Sequence, residues 1–370
     1  MKKSLNYFFS RVKELKEKGK KILVFTLTSP EFEPPPLKEK ILNLYPLSFS
    51  YSPAGGDFTL RETLAKFYSA KWQKPLKKEN TFVGAGGKEI LFILLNLILE
   101  KGGEVVIVSP NWPSYPRMVE MAKGRVKFFK TSEKEGFYLK TQELKKVISA
   151  KTKAVIINSP ANPTGKALRE KDVKFLANLA LKKNFLLIAD EVYEIYDYEN
   201  HYCSFLKYFN KNIFCVFSAS KIFSLCGWRT GWGFGREKLI KQMINYQFNL
   251  STSPHTLSQL VIREIFKDPE GISQYFLKTE EEARKRRDLA INFLREKKVA
   301  FILPEGGIAI FIKIPSSFKN AFSFCETLLN KELVSVAPGE IFGEKKYFRM
   351  NLAVSLANLN EGLKRIAKYY

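Results

Sequence analysis

Short apolar runs alternate with longer amphipathic segments between residues 81 and 235. The runs have the length of β-strands, and most of the segments between them can form helices of ten or more residues. The predicted strands are Thr81–Val83, Glu104–Val108, Val126–Phe129, Ala154–Asn158, Phe185–Ala189, Ile213–Phe217 and Gly231–Gly235. Continuous apolar strands alternating with helices are typical of a parallel sheet covered on both faces. The predicted fold class is α/β, with a mainly parallel seven-stranded sheet sandwiched by helices.

The pattern changes on either side of this region. Two long charged helices, Leu257–Phe266 and Ile272–Lys297, precede short predicted strands near Ala300–Leu303, Ile308–Ile312, Val334–Val336 and Phe348–Leu352. A helix over residues 1–20 and a strand-like segment, Ile22–Thr28, also lack the rhythm of the sheet. We therefore predict a large domain over residues 44–250 and a smaller α+β domain formed by residues 1–43 and 251–370.

Composition narrows the class of protein. The 370 residues are 45% hydrophobic and include 31 Phe, which suffices for a sizeable core and excludes a disordered chain. The longest apolar run, Ile90 to Leu99, has about half the length of a membrane span. The N-terminus lacks the continuous apolar segment of a signal peptide. Because the four cysteines form no CxxC pair and the two histidines stand alone, we expect no metal site, no disulfides, no membrane partner and a cytoplasmic location.

The net charge of +24 has three interpretations. The charge reflects a lysine-rich surface without a specific partner, provides an electrostatic field that favours anionic cofactors and acidic substrates, or indicates a nucleic-acid-binding surface. We expect no nucleic-acid partner, because the lysines are scattered along the chain and no helix-turn-helix or RNA-recognition motif is present.

One stretch, Ser218-Ala-Ser220-Lys221, directly follows the predicted strand Ile213–Phe217, and Arg229 follows eight residues later. A lysine on a loop after a strand is usually just solvated. Here apolar residues and small hydroxyls surround the lysine in the sequence. This setting suits an ε-amine that forms an imine with an aldehyde while the arginine binds a phosphate. This combination suggests pyridoxal phosphate (PLP) as a cofactor.

Glycines and polar side chains stand at the ends of other predicted strands. The segment Gly84-Ala-Gly86-Gly87-Lys88-Glu89 matches neither the P-loop nor the dinucleotide fingerprint, and is either a tight turn or a phosphate cradle at a helix N-terminus. Trp112 either stacks on a flat cofactor ring or packs in the core. Asn162 lies in a proline-rich turn, where asparagines usually bond their own backbone.

Three further side chains carry candidate chemistry. Asp190 ends the most apolar strand, and a buried carboxylate needs a cationic partner; a protonated pyridine nitrogen would serve, with a helix cap as the alternative. Tyr193 could reach the phenolic oxygen of the same ring. Arg349 lies in an apolar strand of the second domain, where it binds either a substrate carboxylate or a structural acid. Parallel sheets bind their ligands beyond the carboxyl ends of the strands. The motifs that follow the predicted sheet strands lie at these ends.

Taken together, the motifs resemble the class I/II aminotransferases of PLP fold type I, and most of all their aspartate/aromatic-type branch. The resemblance covers roughly residues 11 to 369. The matching residues are Tyr51-x-Pro53, Gly56, Leu60-Arg61-Glu62, Gly86-Gly87-Lys88, Trp112-x-Ser-Tyr115, Asn158-Ser-Pro-x-Asn162-Pro-Thr-Gly165, Asp190-Glu191-x-Tyr193, Ser218-x-Ser-Lys221, Gly227-Trp-Arg229, Pro338-Gly339 and Arg349.

This resemblance implies a role for each position. Lys221 holds PLP covalently and moves a proton, Asp190 pairs with the pyridine nitrogen, and Trp112 stacks on the ring. Asn162 and Tyr193 bind the ring oxygen. The residues implied around the phosphate are Gly86, Gly87, the backbone of Lys88, Ser218, Ser220, Arg229 and Tyr51, the last contributed by the second subunit of a homodimer. Arg349 binds the substrate α-carboxylate through a bidentate hydrogen bond.

Two departures bear on the substrate. Thr28 stands where the family has a glycine close to the substrate, which implies a narrower pocket, and we count Thr28 with Arg349 and Asn162 as substrate-binding. The aromatic residue that the family has after Pro-x-Gly is missing from Pro304-Glu-Gly-Gly-Ile308. No second basic residue can be assigned to a distal carboxylate, so dicarboxylic, aromatic and small aliphatic amino acids all remain open.

The function that this resemblance implies is amino transfer between an L-amino acid and a 2-oxo acid, with 2-oxoglutarate as the expected acceptor. The route is ping-pong through pyridoxamine phosphate. A PLP-dependent C–S β-lyase or another α-carbon enzyme is the alternative, followed by a non-catalytic regulatory protein on the same scaffold. A dehydrogenase is disfavoured because the dinucleotide fingerprint is missing.

Overall fold

The computed structural model describes residues 4–36, 44 and 49–370. Residues 1–3 of the predicted first helix, and residue 43 at the predicted domain boundary, lie outside the described residues. The helices of eight or more residues in the described part are α1 (Leu5–Glu17), α2 (Phe58–Trp72), α3 (Gly87–Ile98), α4 (Ser114–Met121), α6 (Glu170–Lys183), α8 (Glu237–Ser251), α9 (Thr256–Phe266), α10 (Pro269–Glu296) and α12 (Leu356–Ala367). The shorter helices are α5 (Thr141–Val147), α7 (Ala219–Ile222) and α11 (Ala321–Thr327).

The main sheet contains all seven predicted strands in the order β2-β8-β7-β6-β5-β3-β4. They are β2 (Thr81–Gly84), β3 (Glu104–Ser109), β4 (Arg125–Lys130), β5 (Thr152–Asn158), β6 (Leu186–Asp190), β7 (Ile213–Ser218) and β8 (Gly231–Phe234). Strand β8 is antiparallel to both of its neighbours, and the other pairs are parallel. The predicted α/β class and the mainly parallel sheet are confirmed.

Successive residues of the central strands pack on opposite faces of the sheet. On β5, Val155 belongs to the core that includes α6 and α2, whereas Ile156 belongs to the core that includes α3 and α8. Because both faces are covered, the strand sequence is continuously apolar rather than alternating. This explains why the sequence pattern identifies the strands so well.

A second core surrounds a four-stranded sheet, β12-β13-β10-β9, and a two-stranded pair of β1 and β11. These strands are β1 (Leu23–Val24), β9 (Phe301–Ile302), β10 (Ala309–Lys313), β11 (Val334–Ser335), β12 (Ala337–Pro338) and β13 (Tyr347–Asn351). Phe8 and Leu15 of α1 pack in this core. This arrangement is consistent with a smaller second domain. The predicted domain boundaries stay a prediction. Helix α9, which the prediction assigns to the small domain, packs on α2 of the predicted large domain.

Two local predictions were wrong. The strand predicted over Ile22–Thr28 forms a ladder only at Leu23 and Val24, because the Phe25 carbonyl then accepts from Asn351 of β13 while its N–H still donates to Ser335 of β11. Lys221 lies in the short helix α7 rather than in a loop, and the Ser218 side chain caps that helix by accepting from the Ser220 backbone N–H. Among the described residues, no helix combines the length and apolar character needed to cross a membrane.

Candidate active site

Lys221 lies just beyond the carboxyl end of β7, in the first turn of α7. Its Nζ donates a hydrogen bond to the Thr28 carbonyl oxygen at 2.5 Å. Burial lowers the pKa of Lys221, and the positive charges of Arg349 and Arg229 act in the same direction. A lowered pKa increases the fraction of neutral amine, which is the form that attacks a carbonyl carbon.

Asp190 ends β6, the strand that pairs with β7, so its carboxylate lies at the same edge of the sheet as Lys221. The carboxylate is buried, and burial raises the pKa of Asp190 to about 6. Its Oδ2 accepts a hydrogen bond from the Tyr115 hydroxyl, and its Oδ1 has only a long contact, 3.4 Å, with the Val192 N–H. One oxygen of this buried acid therefore has no strong donor and is able to pair with a cationic group of a ligand.

Tyr115 is a residue to which sequence analysis gave no role. It is buried on α4, one turn after Trp112, and the two rings meet edge to face at 5.3 Å. The only signal in the sequence was the spacing of the two aromatic residues. Its partner Asp190 is distant along the chain, so the hydrogen bond could not be read from the pattern.

Glycines leave room for a phosphate between the N-terminus of α3 and Arg229. A Cβ atom on Gly86, whose φ is 85°, would lie 2.7 Å from Nη2 of Arg229. A Cβ on Gly231 would lie 2.7 Å from the Gly87 nitrogen. Nη1 of Arg229 also reaches the hydroxyl of Ser220 at 3.3 Å. Backbone N–H groups at a helix N-terminus, a guanidinium and hydroxyls form a donor set that fits a phosphate.

Arg349 is buried on β13 without an acidic partner among the described residues. Nη1 donates to the Asn162 Oδ1 at 3.0 Å and Nη2 donates to the Thr26 carbonyl at 2.6 Å, while Nε has no partner. Burial lowers the pKa of Arg349 to about 10, so the side chain stays charged at neutral pH. A buried guanidinium held only by neutral oxygens is suited to bind a carboxylate that enters the cavity.

Tyr193 completes the inner wall of the site. Its hydroxyl lies 3.4 Å from the Thr28 Oγ1, and burial raises the pKa of its phenol. The phenol is therefore neutral at physiological pH and can donate a hydrogen bond to an oxygen on a ligand ring. Thr28 thus contacts Lys221 through its backbone carbonyl and Tyr193 through its hydroxyl.

Three predicted residues lie at or beyond the edge of this group. The partly buried ring of Trp112 faces the Lys88 Nζ, which lies 4.9 Å from the ring centroid. The side chain of Lys88 is exposed, and its backbone lies in the first turn of α3. Tyr51 is 85% exposed, and no described contact joins it to the other predicted site residues. A single chain therefore does not bring Tyr51 into the site.

The described residues fit PLP: a lysine amine, an acid for the pyridine nitrogen, a donor set for the phosphate, and a buried arginine for a substrate carboxylate. When bound, PLP supplies an aldehyde that takes up an amino group and a ring that withdraws electrons from the substrate Cα. The fold and the site together define an α/β enzyme of the PLP-dependent type.

Comparison with known proteins agrees with this class. The model of the family Aminotransferase class I and II matches residues 36–366. The aspartate/prephenate aminotransferase of Thermus thermophilus is 32% identical over 357 residues, 96% of this chain and 92% of that relative. A structure of the Thermus thermophilus aspartate aminotransferase with maleate superimposes with a TM-score of 0.94 at 31% identity, covering 98% of this chain and 96% of the other.

A third similarity is to the aromatic aminotransferase of Pyrococcus horikoshii, with a TM-score of 0.88 at 29% identity over 96% of this chain and 98% of that one. The chain belongs to the class I and II aminotransferases. It is a PLP-dependent aminotransferase, and the predicted family, cofactor and reaction class are confirmed.

Proposed function

We propose that this aminotransferase acts on a dicarboxylic L-amino acid of the aspartate type, with 2-oxoglutarate as the amino acceptor. The observation that carries the proposal is the presence of two basic groups besides Lys221 and Arg229: the buried Arg349 and the exposed Lys88 beside Trp112. A dicarboxylate needs one cation for each end. The similar proteins from Thermus thermophilus are named for aspartate, and one of them was solved with the dicarboxylate maleate.

The proposed roles follow from the contacts. Lys221 carries the cofactor and moves a proton at the substrate Cα, because its amine is partly buried and its pKa is lowered. Asp190 faces the pyridine nitrogen, and Tyr193 and Asn162 bind the ring oxygen. Trp112 stacks on the ring, and the cradle of Gly86, Gly87, the Lys88 backbone, Ser218, Ser220 and Arg229 binds the phosphate.

Arg349 binds the α-carboxylate, with Asn162 holding one of its guanidinium nitrogens. Thr28 lies over Lys221 and Tyr193 and restricts the space above the reacting carbon. The free cysteines, which include the partly exposed Cys226, support a reducing cytoplasm as the location.

A half-reaction screen tests the substrate. The PLP-loaded enzyme is mixed with single amino acids, and loss of the cofactor absorbance band is followed with no 2-oxo acid present. Aspartate and glutamate should react fastest, ahead of phenylalanine and alanine. Faster reaction with phenylalanine than with aspartate would contradict the dicarboxylate proposal.

Lys88→Ala should lower kcat/KM for aspartate about tenfold, as expected for loss of one charge-assisted hydrogen bond to a carboxylate. The rate with alanine should stay within about twofold, because a monocarboxylic substrate does not use this cation. Lys101→Ala, an exposed lysine beyond the other end of α3, is the matched control. An equal loss with both substrates would assign Lys88 to the cofactor rather than to the distal carboxylate.

The pH dependence of cofactor binding follows from Asp190. Its pKa is raised by burial to about 6, so the carboxylate carries its charge above that pH and loses it below. PLP affinity should therefore fall as the pH decreases through about 6, because the pyridinium loses its counter-charge. The measurement is the dissociation constant of PLP as a function of pH. Asp190→Asn should lack this inflection and retain only the titration of the phosphate; an unchanged profile would contradict the pairing.

The site is proposed to be completed by Tyr51 from a second copy of the chain. Besides Tyr51, the apolar side chains of Phe58, Phe248 and Leu250 are exposed. Hydrogen bonds join the segment around Tyr51 to the segment that follows α8: the Ser52 hydroxyl donates to the Pro254 carbonyl, and the Thr256 hydroxyl donates to the Ser50 carbonyl. An exposed apolar patch of this kind is typical of a subunit interface.

A mixing experiment tests this arrangement. Chains with Lys221→Ala and chains with Tyr51→Ala, each poorly active alone, are refolded together. A hybrid dimer holds one site with its own Lys221 and the intact Tyr51 of the other chain, so activity should recover. If Tyr51 served its own chain, every site would keep one defect and no activity would return.

A further inference from the structure

The buried carboxylate of Asp190 has two unlike oxygens. Oδ2 accepts from the Tyr115 hydroxyl, and both residues are buried. Oδ1 has a contact of 3.4 Å with the Val192 N–H, which is long for a hydrogen bond. The Tyr115 hydroxyl is thus the one strong donor to this carboxylate among the described residues, and it occupies Oδ2.

Tyr115 is itself held in place by the element that carries Trp112. Its backbone N–H donates to the Trp112 carbonyl at 3.1 Å, and the two rings meet at an interplanar angle of 84°. The start of α4 therefore sets the position of a ring-stacking residue and of the donor to Asp190 together. Movement of one of these two side chains would displace the other.

We propose that Tyr115 is a positioning residue that acts through Asp190, fixing the plane of its carboxylate and keeping it ionised against the pyridine nitrogen of the cofactor. The proposal rests on the role of Asp190 given above. A hydroxyl that donates to a carboxylate stabilises the charged form, whereas a buried acid without that donor is more readily protonated. The loss of the donor would also leave the terminal torsion of Asp190 free to rotate.

Other groups around Asp190 act on the same charge. Lys221 on α7 lowers the pKa of Asp190, and Tyr193, on the turn after β6, faces both Asp190 and Tyr115. Arg349 lowers the pKa of both Tyr193 and Lys221, and Cys226 raises the pKa of both. Because none of these side chains donates a hydrogen bond to the Asp190 carboxylate in the described part of the chain, the effect of Tyr115 can be separated from theirs by a double-mutant cycle.

The test compares PLP affinity of four full-length proteins: wild type, Tyr115→Phe, Asp190→Asn and the double variant. Tyr115→Phe keeps the ring against Trp112 and should bind PLP about tenfold more weakly, as expected for loss of a hydrogen bond to a charged group. In the Asp190→Asn background the same change should alter the affinity less than about twofold. Far-UV circular dichroism and thermal melting confirm that each variant is folded.

Tyr138→Phe is the matched control, because the Tyr138 hydroxyl donates to the Asp172 carboxylate at 2.8 Å outside the active site. It should leave PLP affinity unchanged. An equal loss from Tyr115→Phe in both backgrounds, or no loss in either, would overturn the proposal while leaving the role of Asp190 intact. If Asp190→Asn itself left PLP affinity unchanged, the role of Asp190 would fail, and this inference with it.

Discussion

Lys221→Ala should lower the rate of amino transfer by about two to four orders of magnitude, the usual contribution of a positioned general base. The described site has no second amine in the place of Lys221, whose Nζ is fixed by the Thr28 carbonyl at 2.5 Å. Without it, proton movement at the substrate Cα must rely on water. The measurement is the single-turnover rate of the PLP-loaded protein with aspartate, followed by cofactor absorbance.

Lys127→Ala provides a control of the same chemical type. The Lys127 Nζ also donates to a backbone carbonyl, that of Val147 at 2.7 Å, but it lies on the edge strand β4. This variant should transaminate at the wild-type rate. A Lys221→Ala protein that stays within tenfold of wild type would show that another group moves the proton.

The second large effect is expected at Arg349. Arg349→Gln removes a charged, bidentate donor and should lower kcat/KM for aspartate about 10²- to 10³-fold, since each hydrogen bond to a charged group contributes roughly 1.5–3 kcal/mol. Most of the loss should come from KM, because the carboxylate is bound in both the ground state and the transition state. Steady-state kinetics with aspartate, together with inhibition by maleate, measure both effects.

Arg287→Gln separates substrate binding from the general effect of removing a buried arginine. Arg287 is also buried and also has an Nε without a partner, but it pairs with Glu199 away from the site. Its replacement should lower the melting temperature and leave KM unchanged. A similar rise of KM in both variants would mean that Arg349 supports the fold rather than the substrate.

The main sheet could be predicted because strands that are buried on both faces have uninterrupted apolar sequences. The central strands β5, β6 and β7 are mainly continuous apolar runs, and Val155 and Ile156 of β5 pack against different helix layers. The strand at Ile22–Thr28 was predicted too long for the opposite reason. Beyond Val24 the segment is irregular, with Phe25 buried in the second core and Leu27 exposed, and apolar character alone does not reveal where ladder pairing ends.

The approach of Asp190 to Lys221 could be predicted, because each follows a strand and the carboxyl ends of neighbouring parallel strands lie at one edge of the sheet. Contacts between distant segments could not be predicted in this way. Arg349 had two possible partners in the sequence, and the fold gives it carbonyl and amide oxygens from Thr26 and Asn162. The sequence alone gives Tyr115 no role, because its hydroxyl donates to Asp190, which lies 75 positions further along the chain.

The segment between Thr26 and Ser29 has a practical consequence for anyone who modifies this protein. Its carbonyls accept hydrogen bonds from Arg349 and Lys221, and the Ser29 carbonyl accepts from Asn351, so a few residues near the start of the chain fix two side chains of the site at once. Because α1 precedes this segment and packs Phe8 and Leu15 in the second core, removing α1 or attaching a bulky fusion partner there should disturb both these contacts and the fold. Affinity tags are therefore better placed at the other terminus.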